Sequence, residues 1–282
     1  MTPTCTYESH NLGDQLIFIH LLRALAKEHD DRIFWHFTNG CHLVQLNEVI
    51  EDLPNVALFS FESEQWKDWQ KRAINVWKNA GATDTRQQPS ANYTQGFWEK
   101  SKNRWDWSAF TLEHHAHVAK LMGCVSPFTI REHLLFDYPA LNPNNSPGDS
   151  FFYDFLIVSN EPCSGQFGPM KQHGSGYLDG LIKRLAEKYS VITTNPVHGV
   201  ECTRDTKKSV TDIGRLSLKC RNHIMVATGP MWPTINTTNH HNSAGRKRIV
   251  LLDNGERLEM PGITQCANLA EVEKILKQEG WI

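Results

Sequence analysis

The sequence lacks the signals of a secreted, disulfide-bonded or membrane-spanning protein. Its seven cysteines are dispersed, odd in number and form no Cys-x-x-Cys pair, which argues against a disulfide framework and a zinc knuckle. No apolar run approaches the about 20 residues that a spanning helix needs. The N-terminus carries no basic segment followed by an apolar core, as a secretion signal would. We therefore expect a reducing, cytoplasmic location.

The chain also has no large excess of positive or of negative charge. The chain has 29 Lys and Arg against 31 Asp and Glu, a formal net charge of −2, so no overall field draws it to nucleic acid or to an anionic membrane. Its apolar fraction of 40% indicates a globular protein, and 282 residues are enough for two domains of ordinary size.

Strand and helix patterns alternate along both halves of the chain, as parallel βαβ units require. Strands are predicted at residues 4–9, 32–37, 55–61, 151–159, 190–194 and 223–227, and helices at 12–26, 42–51, 62–78, 108–122, 177–188, 212–219 and 269–278. Thr211 is the expected N-cap of the helix at 212–219, and a hairpin is expected at 248–255. The sequence therefore predicts an α/β fold.

A segment between the two halves cannot hold a packed element. Residues 139–148 contain three prolines, three asparagines and one glycine, a composition typical of linkers. We predict two Rossmann-like domains, at residues 1–145 and 146–282.

Two glycine-containing turns, HNLGD at 10–14 and ATGPM at 227–231, are each predicted to lead from a strand into a helix. Such a helix start presents unpaired N–H groups and the positive end of a dipole, where anions such as a diphosphate bind. One turn in each half favours ligand binding at a cleft between two α/β domains. With their flanking residues, the turns suggest an enzyme that uses a nucleotide sugar.

A family resemblance follows from these residues. Residues 11–25, NLGDQLIFIHLLRAL, resemble the Leu-Gly-Asp turn and the Leu-Arg-Ala-Leu helix that open bacterial heptosyltransferase-type glycosyltransferases. Residues 212–220 and 224–236 resemble their second conserved block, in the right order and spacing. The resemblance implies a GT-B architecture, in which the first domain binds the acceptor and the second binds the nucleotide-sugar donor. It also implies metal-independent chemistry, with helix N-termini and basic side chains stabilising the leaving diphosphate.

The resemblance implies that Asp14 is the catalytic base. Its carboxylate would remove the proton of the acceptor hydroxyl, so that the oxygen attacks the anomeric carbon with inversion. His10 is an alternative base, and Asn11, Gly13 and Gln15 of the same turn are expected to contact the acceptor. A structural alternative is that Asp14 only complements the helix dipole, which is worth about 0.3–1 kcal/mol.

The turn containing Thr228, Gly229 and Pro230 is the expected diphosphate cradle. Gly229 permits close backbone approach and Thr228 offers a hydroxyl. The family commonly has a polar or acidic residue before this pair, whereas this chain has Ala227, which weakens any transfer of an acidic role to this turn. An ordinary strand-to-helix turn is the alternative.

Further donor contacts are expected from the loop at residues 159–171. This loop follows the carboxyl end of a predicted strand, which is where ligands bind in open α/β sheets. Lys171 would neutralise donor phosphate, and Ser164 or Gln166 would line the same site; a solvated surface Lys is the alternative. Asp212 is a candidate for holding a ribose hydroxyl, unless it only favours the N-terminus of its helix.

Aromatic residues are concentrated before the middle of the chain. Six of the nine tryptophans fall within residues 66–107, among lysines and arginines, and aromatic faces stack on sugars and bases. Trp98, Trp105 and Trp107 are therefore candidate acceptor contacts, although isolated exposed aromatics also need no explanation. Neither the histidines at 114–117 nor those at 240–241 come with a cysteine or carboxylate cluster, so no metal site is expected.

These observations favour a metal-independent inverting glycosyltransferase with a nucleoside-diphosphate sugar as co-substrate and no other cofactor. A surface glycan or a lipopolysaccharide-type molecule is the expected acceptor, and a modified DNA base also fits the aromatic and basic segment. Two alternatives stay open. They are a nucleotide-sugar epimerase and a non-catalytic glycan- or nucleotide-binding protein of the same fold.

Overall fold

The computed structural model describes residues 4–7, 12–61, 101–102, 105–141, 151–160, 176–241, 245–252 and 256–282. The chain forms two compact units. Unit 1 comprises Met1–Arg104 and Ala109–Leu134, and unit 2 comprises Trp105–Ser108 and Leu135–Ile282. The predicted boundary at 145/146 and the helix predicted at 62–78 lie outside the described residues. Of the described helices, none is long and apolar enough to cross a bilayer.

Unit 1 is built on a parallel sheet with the strand order β1-β2-β3. The broad apolar face predicted for the first helix is confirmed, since Leu16, Phe18 and Ile19 are fully buried. The elements are β1 Thr4–Tyr7, α1 Leu12–Glu28, β2 Phe34–Asn39, α2 Leu43–Ile50, β3 Val56–Phe61 and α3 Trp107–Leu121, whose first two residues are assigned to unit 2.

Unit 2 is built on a six-stranded parallel sheet with the order β6-β5-β4-β7-β8-β9. Helices cover both of its faces: Ile224 and Val226 of β7 pack in one core with α4 and α7, whereas the alternating His223 hydrogen-bonds the end of α5. The elements are β4 Tyr153–Val158, α4 Asp179–Ala186, β5 Val191–Thr193, β6 Glu201–Cys202, α5 Val210–Ser217, β7 Cys220–Val226, α6 Thr237–His241, β8 Arg248–Leu251, β9 Thr264–Cys266 and α7 Leu269–Gln278. The predicted α/β class is confirmed.

Two local predictions for unit 2 are wrong. The hairpin expected at 248–255 does not form, because β8 pairs in parallel with both β7 and β9. The N-cap of α5 is Ser209 and not Thr211. Ser209 provides a capping box with Asp212, which satisfies N–H groups at the start of the helix that Thr211, already the second residue inside it, does not cap.

Gly214 of α5 lies where a side chain would collide with its neighbours. A Cβ there would lie 2.9 Å from the Cβ of Pro233 and closer still to Cδ2 of Leu141. We expect Gly214→Ala to lower the free energy of unfolding by about 1–3 kcal/mol, because overpacking outweighs the better helix propensity of alanine. Urea unfolding measures this change.

The matched control is Gly180→Ala in α4, where no atom lies within 4 Å of the added Cβ. Only propensity acts at that position, so this variant should be as stable as the parent or more stable by up to about 1 kcal/mol. A Gly214→Ala variant as stable as Gly180→Ala would contradict the close packing of α5.

Candidate functional site

The strand order of unit 2 places a topological switch point at β4. From β4 the chain continues to β5 and β6 on one side of it, and then crosses to β7, β8 and β9 on the other. In open parallel α/β sheets, ligands bind beyond the carboxyl ends of the strands at such a point. The ends of β4, β5 and β7 therefore define a candidate site.

Three hydroxyl side chains meet at this point. Ser159, directly after β4, has a φ of 59°, a left-handed conformation that is uncommon for a residue other than glycine and recurs at functional sites. Its backbone N–H donates to Oγ1 of Thr194, after β5, at 2.7 Å. Its Oγ accepts a hydrogen bond from the Thr228 hydroxyl, which follows β7. Side chains from the ends of three neighbouring strands are thus joined.

Two asparagines fix the loops beside these hydroxyls. The backbone N–H of Asn195 donates to Oδ1 of Asn160 at 2.9 Å, and Nδ2 of Asn160 donates to the carbonyl of Asn195 at 3.0 Å. Both side chains are buried, so the loops after β4 and β5 are held together before any ligand arrives. We call Ser159, Asn160, Thr194, Asn195 and Thr228 the strand-end cluster.

The strand-end cluster was only partly found from the sequence. Thr228 was predicted, whereas Asn160, Thr194 and Asn195 were not, because a short polar run after a strand resembles any other loop. The cluster carries uncharged donors and acceptors, which suit hydroxyl groups and amide-like ring atoms. The predicted donor contacts Ser164, Gln166 and Lys171 lie outside the described residues.

The turn after β7 differs from its prediction. Thr228 caps a 3-10 helix, Gly229–Thr234, in which Pro230 and Pro233 lack N–H groups. So short a helix with two missing donors offers an anion a weaker dipole than an α-helix would. Thr228, Gly229 and Pro230 lie at the switch point, and their contact with the donor diphosphate stays a prediction.

Asp212 stabilises the N-terminus of its own helix, which is the structural alternative that the sequence analysis left open. Its carboxylate accepts from the Ser209 N–H at 3.0 Å and pairs with the Arg215 guanidinium at 3.0 Å. Burial alone would raise its pKa, but these hydrogen bonds and the positive charge outweigh it and lower the pKa. Its oxygens thus stabilise the start of α5, and the ribose contact stays a prediction.

In unit 1, Asp14 lies in the first turn of α1 and is half-buried, as is Gly13. The sequence predicts Asp14 in this turn. The position is compatible with both the catalytic role and the dipole-complementing role, so the catalytic role stays a prediction. His10 and Asn11 lie outside the described residues.

Gln15 contacts the protein interior. Its side chain is fully buried, and its Oε1 accepts from Nε2 of His36 at 2.8 Å. Burial lowers the pKa of His36 to about 3, so the imidazole is neutral, and the Thr6 hydroxyl donates to its Nδ1 at 3.0 Å. Gln15 therefore holds the first turn of α1 from within, and its contact with the acceptor stays a prediction.

The structure describes two of the three tryptophans that are predicted to contact the acceptor. Trp98 lies outside the described residues. Trp105 is half exposed, and its carbonyl accepts from the Arg257 N–H at 2.6 Å, while the Trp107 N–H donates to the Arg257 carbonyl at 2.7 Å. Both tryptophans belong to unit 2, which the position of their segment in the sequence did not indicate.

Two of the three histidines of α3 serve the core of unit 1. His114 and His115 are fully buried, and Nε2 of His115 hydrogen-bonds the Ile17 carbonyl at 3.0 Å. Over the ranges that the structure describes, no group of three His, Cys, Asp or Glu side chains is placed to hold a metal ion.

Sequence comparisons find no matching family model and no matching curated protein, whereas solved structures match over nearly the whole chain. E. coli heptosyltransferase WaaC, determined with ADP-2-deoxy-2-fluoro heptose, matches with a TM-score of 0.53 at 14% identity, covering 98% of this chain and 99% of that one. E. coli ADP-heptose LPS heptosyltransferase II matches with a TM-score of 0.52 at 10% identity, covering 99% of both chains. A family 9 glycosyl transferase from Veillonella parvula matches with a TM-score of 0.51 at 8% identity, covering 98% and 88%. The chain therefore has the fold of the heptosyltransferases, as the resemblance of residues 11–25 predicts.

Proposed function

We propose that this chain is a glycosyltransferase of the heptosyltransferase type. It binds a nucleoside-diphosphate sugar in unit 2 and transfers the sugar to an acceptor hydroxyl bound by unit 1. The observation that carries this proposal is the Ser159–Thr228 hydrogen bond at the switch point of the β4–β7 sheet. It is supported by the fold shared with WaaC, a protein whose structure was determined with an ADP-sugar analogue.

Donor binding is proposed to use the strand-end cluster. The Thr228 hydroxyl and the backbone at Gly229 contact the ribose or the diphosphate, because both lie beyond the carboxyl ends of the central strands. Positive charge for the diphosphate comes from Lys171, since the 3-10 helix after β7 contributes little. Arg and Lys side chains supply such stabilisation where the leaving group gains charge.

The transfer step is proposed to be a direct displacement with inversion. The Asp14 carboxylate takes the proton of the acceptor hydroxyl as the oxygen forms its bond to the anomeric carbon. The bond from that carbon to the diphosphate oxygen breaks, and the diphosphate leaves with the electron pair. No metal ion takes part in the proposed step. Gln15 and His36 keep the turn that carries Asp14 in place.

A panel of ADP-, UDP- and GDP-sugars in a thermal unfolding assay tests donor binding. A ligand that binds only the folded protein stabilises it by RT ln(1 + [L]/Kd), about 2.7 kcal/mol at a hundredfold excess over Kd. One nucleotide class should raise the melting temperature more than the others. If no nucleotide sugar does so at millimolar concentration, the proposal fails at its first step.

Thr228→Val tests the strand-end cluster, since it keeps the shape of the side chain but removes the hydroxyl. We expect the donor Kd to rise about tenfold, the equivalent of a lost hydrogen bond of about 1–1.5 kcal/mol. Calorimetric titration with the best donor of the panel measures this change. Thr264→Val, at an exposed position of β9, is the matched control and should leave the Kd unchanged. Equal Kd values for both variants would remove Thr228 from the donor site.

A further inference from the structure

The amino ends of the central strands of unit 2 carry aromatic and basic side chains that the proposed transfer reaction does not use. Phe151 and Phe152 lie directly before β4, Lys219 and Arg221 lie at the start of β7, and Arg246 lies before β8. Because β4, β7 and β8 are neighbours in the sheet, these five residues lie along one edge. We call them the basic aromatic edge.

Each ring of the basic aromatic edge lies beside at least one cation. The guanidinium carbons of Arg246 and Arg221 lie 4.5 Å and 5.7 Å from the centroid of the Phe151 ring. The Lys219 ammonium lies 5.7 Å from the centroid of the Phe152 ring, and the Lys219 carbonyl accepts from the Phe152 N–H at 2.9 Å. Cations at such distances are attracted to the face of a ring. Three positive charges are therefore held close to two rings.

The positive charge of this edge is not neutralised by carboxylates. Within the described ranges, its three cations form no ion pair. Two carboxylates of the adjacent segments have partners of their own. Glu279 pairs with Lys247 at 2.9 Å, and Asp154 accepts from the N–H and the hydroxyl of Ser190 at 3.1 Å and 2.9 Å, on the side of β5. A surface with this excess of positive charge attracts an anionic partner.

The exposed ring of Phe152 indicates which anionic partner fits. This side chain is 65% exposed and lies at the same level as the Lys219 ammonium. Aromatic rings favour the headgroup region of a bilayer, and cations at that depth bind lipid phosphates. Single-stranded nucleic acid instead stacks successive bases on several open rings, whereas Phe151 is half-buried beside two guanidinium groups. The basic aromatic edge therefore suits an anionic membrane better than nucleic acid.

We propose that the basic aromatic edge is a docking surface for a membrane that contains anionic lipids. Lipid phosphates contact Lys219, Arg221 and Arg246, and the Phe152 ring enters the headgroup region. One ring and three cations supply a modest affinity, so the association is reversible. The strand-end cluster lies at the opposite ends of the strands and stays accessible to a ligand. The docking does not depend on the proposed transferase activity, so either proposal can fail without the other.

Sedimentation with lipid vesicles at low ionic strength tests the proposal. Vesicles of phosphatidylcholine with about 30% phosphatidylglycerol should bind the wild-type protein at least about tenfold more tightly than pure phosphatidylcholine vesicles, because each cation adds affinity only for anionic lipid. About 0.5 M sodium chloride should release the protein, since it screens exposed charges. A wild-type protein that does not bind the anionic vesicles, or binds both kinds equally, would overturn the proposal.

The double variant Lys219→Gln/Arg221→Gln should weaken binding to the anionic vesicles about 25-fold, at about fivefold for each removed charge. The matched control is Lys207→Gln/Lys208→Gln, which removes the same charge from exposed positions after β6, at the other end of the strands. It should bind as the wild type does. An equal loss in both double variants would show that net charge alone draws the protein to the vesicles, and the docking surface would be wrong.

Substitutions of Phe152 test the contribution of the ring separately from that of the charges. Phe152→Ser should weaken vesicle binding about tenfold, because less apolar surface leaves water. Phe152→Trp should bind at least as tightly as the wild type, since tryptophan favours the membrane interface. The side chain is largely exposed, and circular dichroism checks that both variants are folded. If Phe152→Ser bound as tightly as Phe152→Trp, the ring would not enter the headgroup region and the proposal would fail.

Discussion

Lowering the pH from 7 to 5 is expected to unfold unit 1. Four of its histidines, His20, His36, His114 and His115, are buried, and burial lowers the pKa of each, to about 4 for His20 and about 3 for His36 and His114. In the unfolded chain the same groups have a pKa of about 6.5. Below that pH the unfolded chain therefore binds protons that the folded protein does not.

The sign of the effect follows from this difference. Stability is complete above about pH 7 and falls as the pH decreases through 6.5, continuing until the folded pKa values near 3–4 are reached. Each histidine contributes about 1.4 kcal/mol per pH unit, so four contribute about 5–6 kcal/mol per unit. The usual total stability of about 5–15 kcal/mol is exhausted within about one to three units. Asp52, whose pKa the hydrogen bond from Arg23 lowers, acts only at more acidic pH.

Urea unfolding at half-unit steps from pH 8 to pH 5 measures the slope. His114→Phe should reduce it by about one proton, because His114 stacks on Phe110 and a second phenyl ring can occupy that position without titrating. His198→Gln, at an exposed position of unit 2, should leave it unchanged. A free energy of unfolding that stays constant from pH 7 to pH 5 would show that these histidines are not buried as described.

Asp14→Asn is expected to lower kcat/KM for sugar transfer by about 10²–10⁴-fold, because the amide cannot take the acceptor proton. The donor Kd should stay the same, since Asp14 and the strand-end cluster belong to different units. Transfer of a radiolabelled sugar from the donor found in the thermal panel measures the first quantity, and calorimetry measures the second. Asp31→Asn, an exposed carboxylate of unit 1, is the control and should be fully active.

The outcomes of this experiment separate the alternatives. An active Asp14→Asn variant would contradict the base role while leaving donor binding intact. Tight donor binding with no turnover by the wild type would indicate a non-catalytic binding protein, which Ala227 before Thr228 would suit. Donor conversion without any acceptor would indicate a nucleotide-sugar epimerase.

Local sequence patterns predicted most elements of this fold. The apolar spacing after Leu12 predicted α1, and the alternation of strands and helices predicted two parallel α/β units, because side-chain periodicity reports which face of an element is buried. Patterns failed where the outcome depends on partners distant in sequence. The sequence at 253–255 is typical of a hairpin turn, but β8 pairs in parallel with both β7 and β9, and the order of the whole sheet decides that pairing.

The identities and spacing of the residues alone determined the α/β class, the turn that carries Asp14 and the turn that carries Thr228. Only the tertiary structure brought Thr228 to Ser159, 69 residues earlier, and placed His36 against Gln15. The physical reason is that these contacts depend on the strand order β6-β5-β4-β7-β8-β9 and on the packing of helices against the sheets. Local periodicity sets which residues face inward, but not which of them meet.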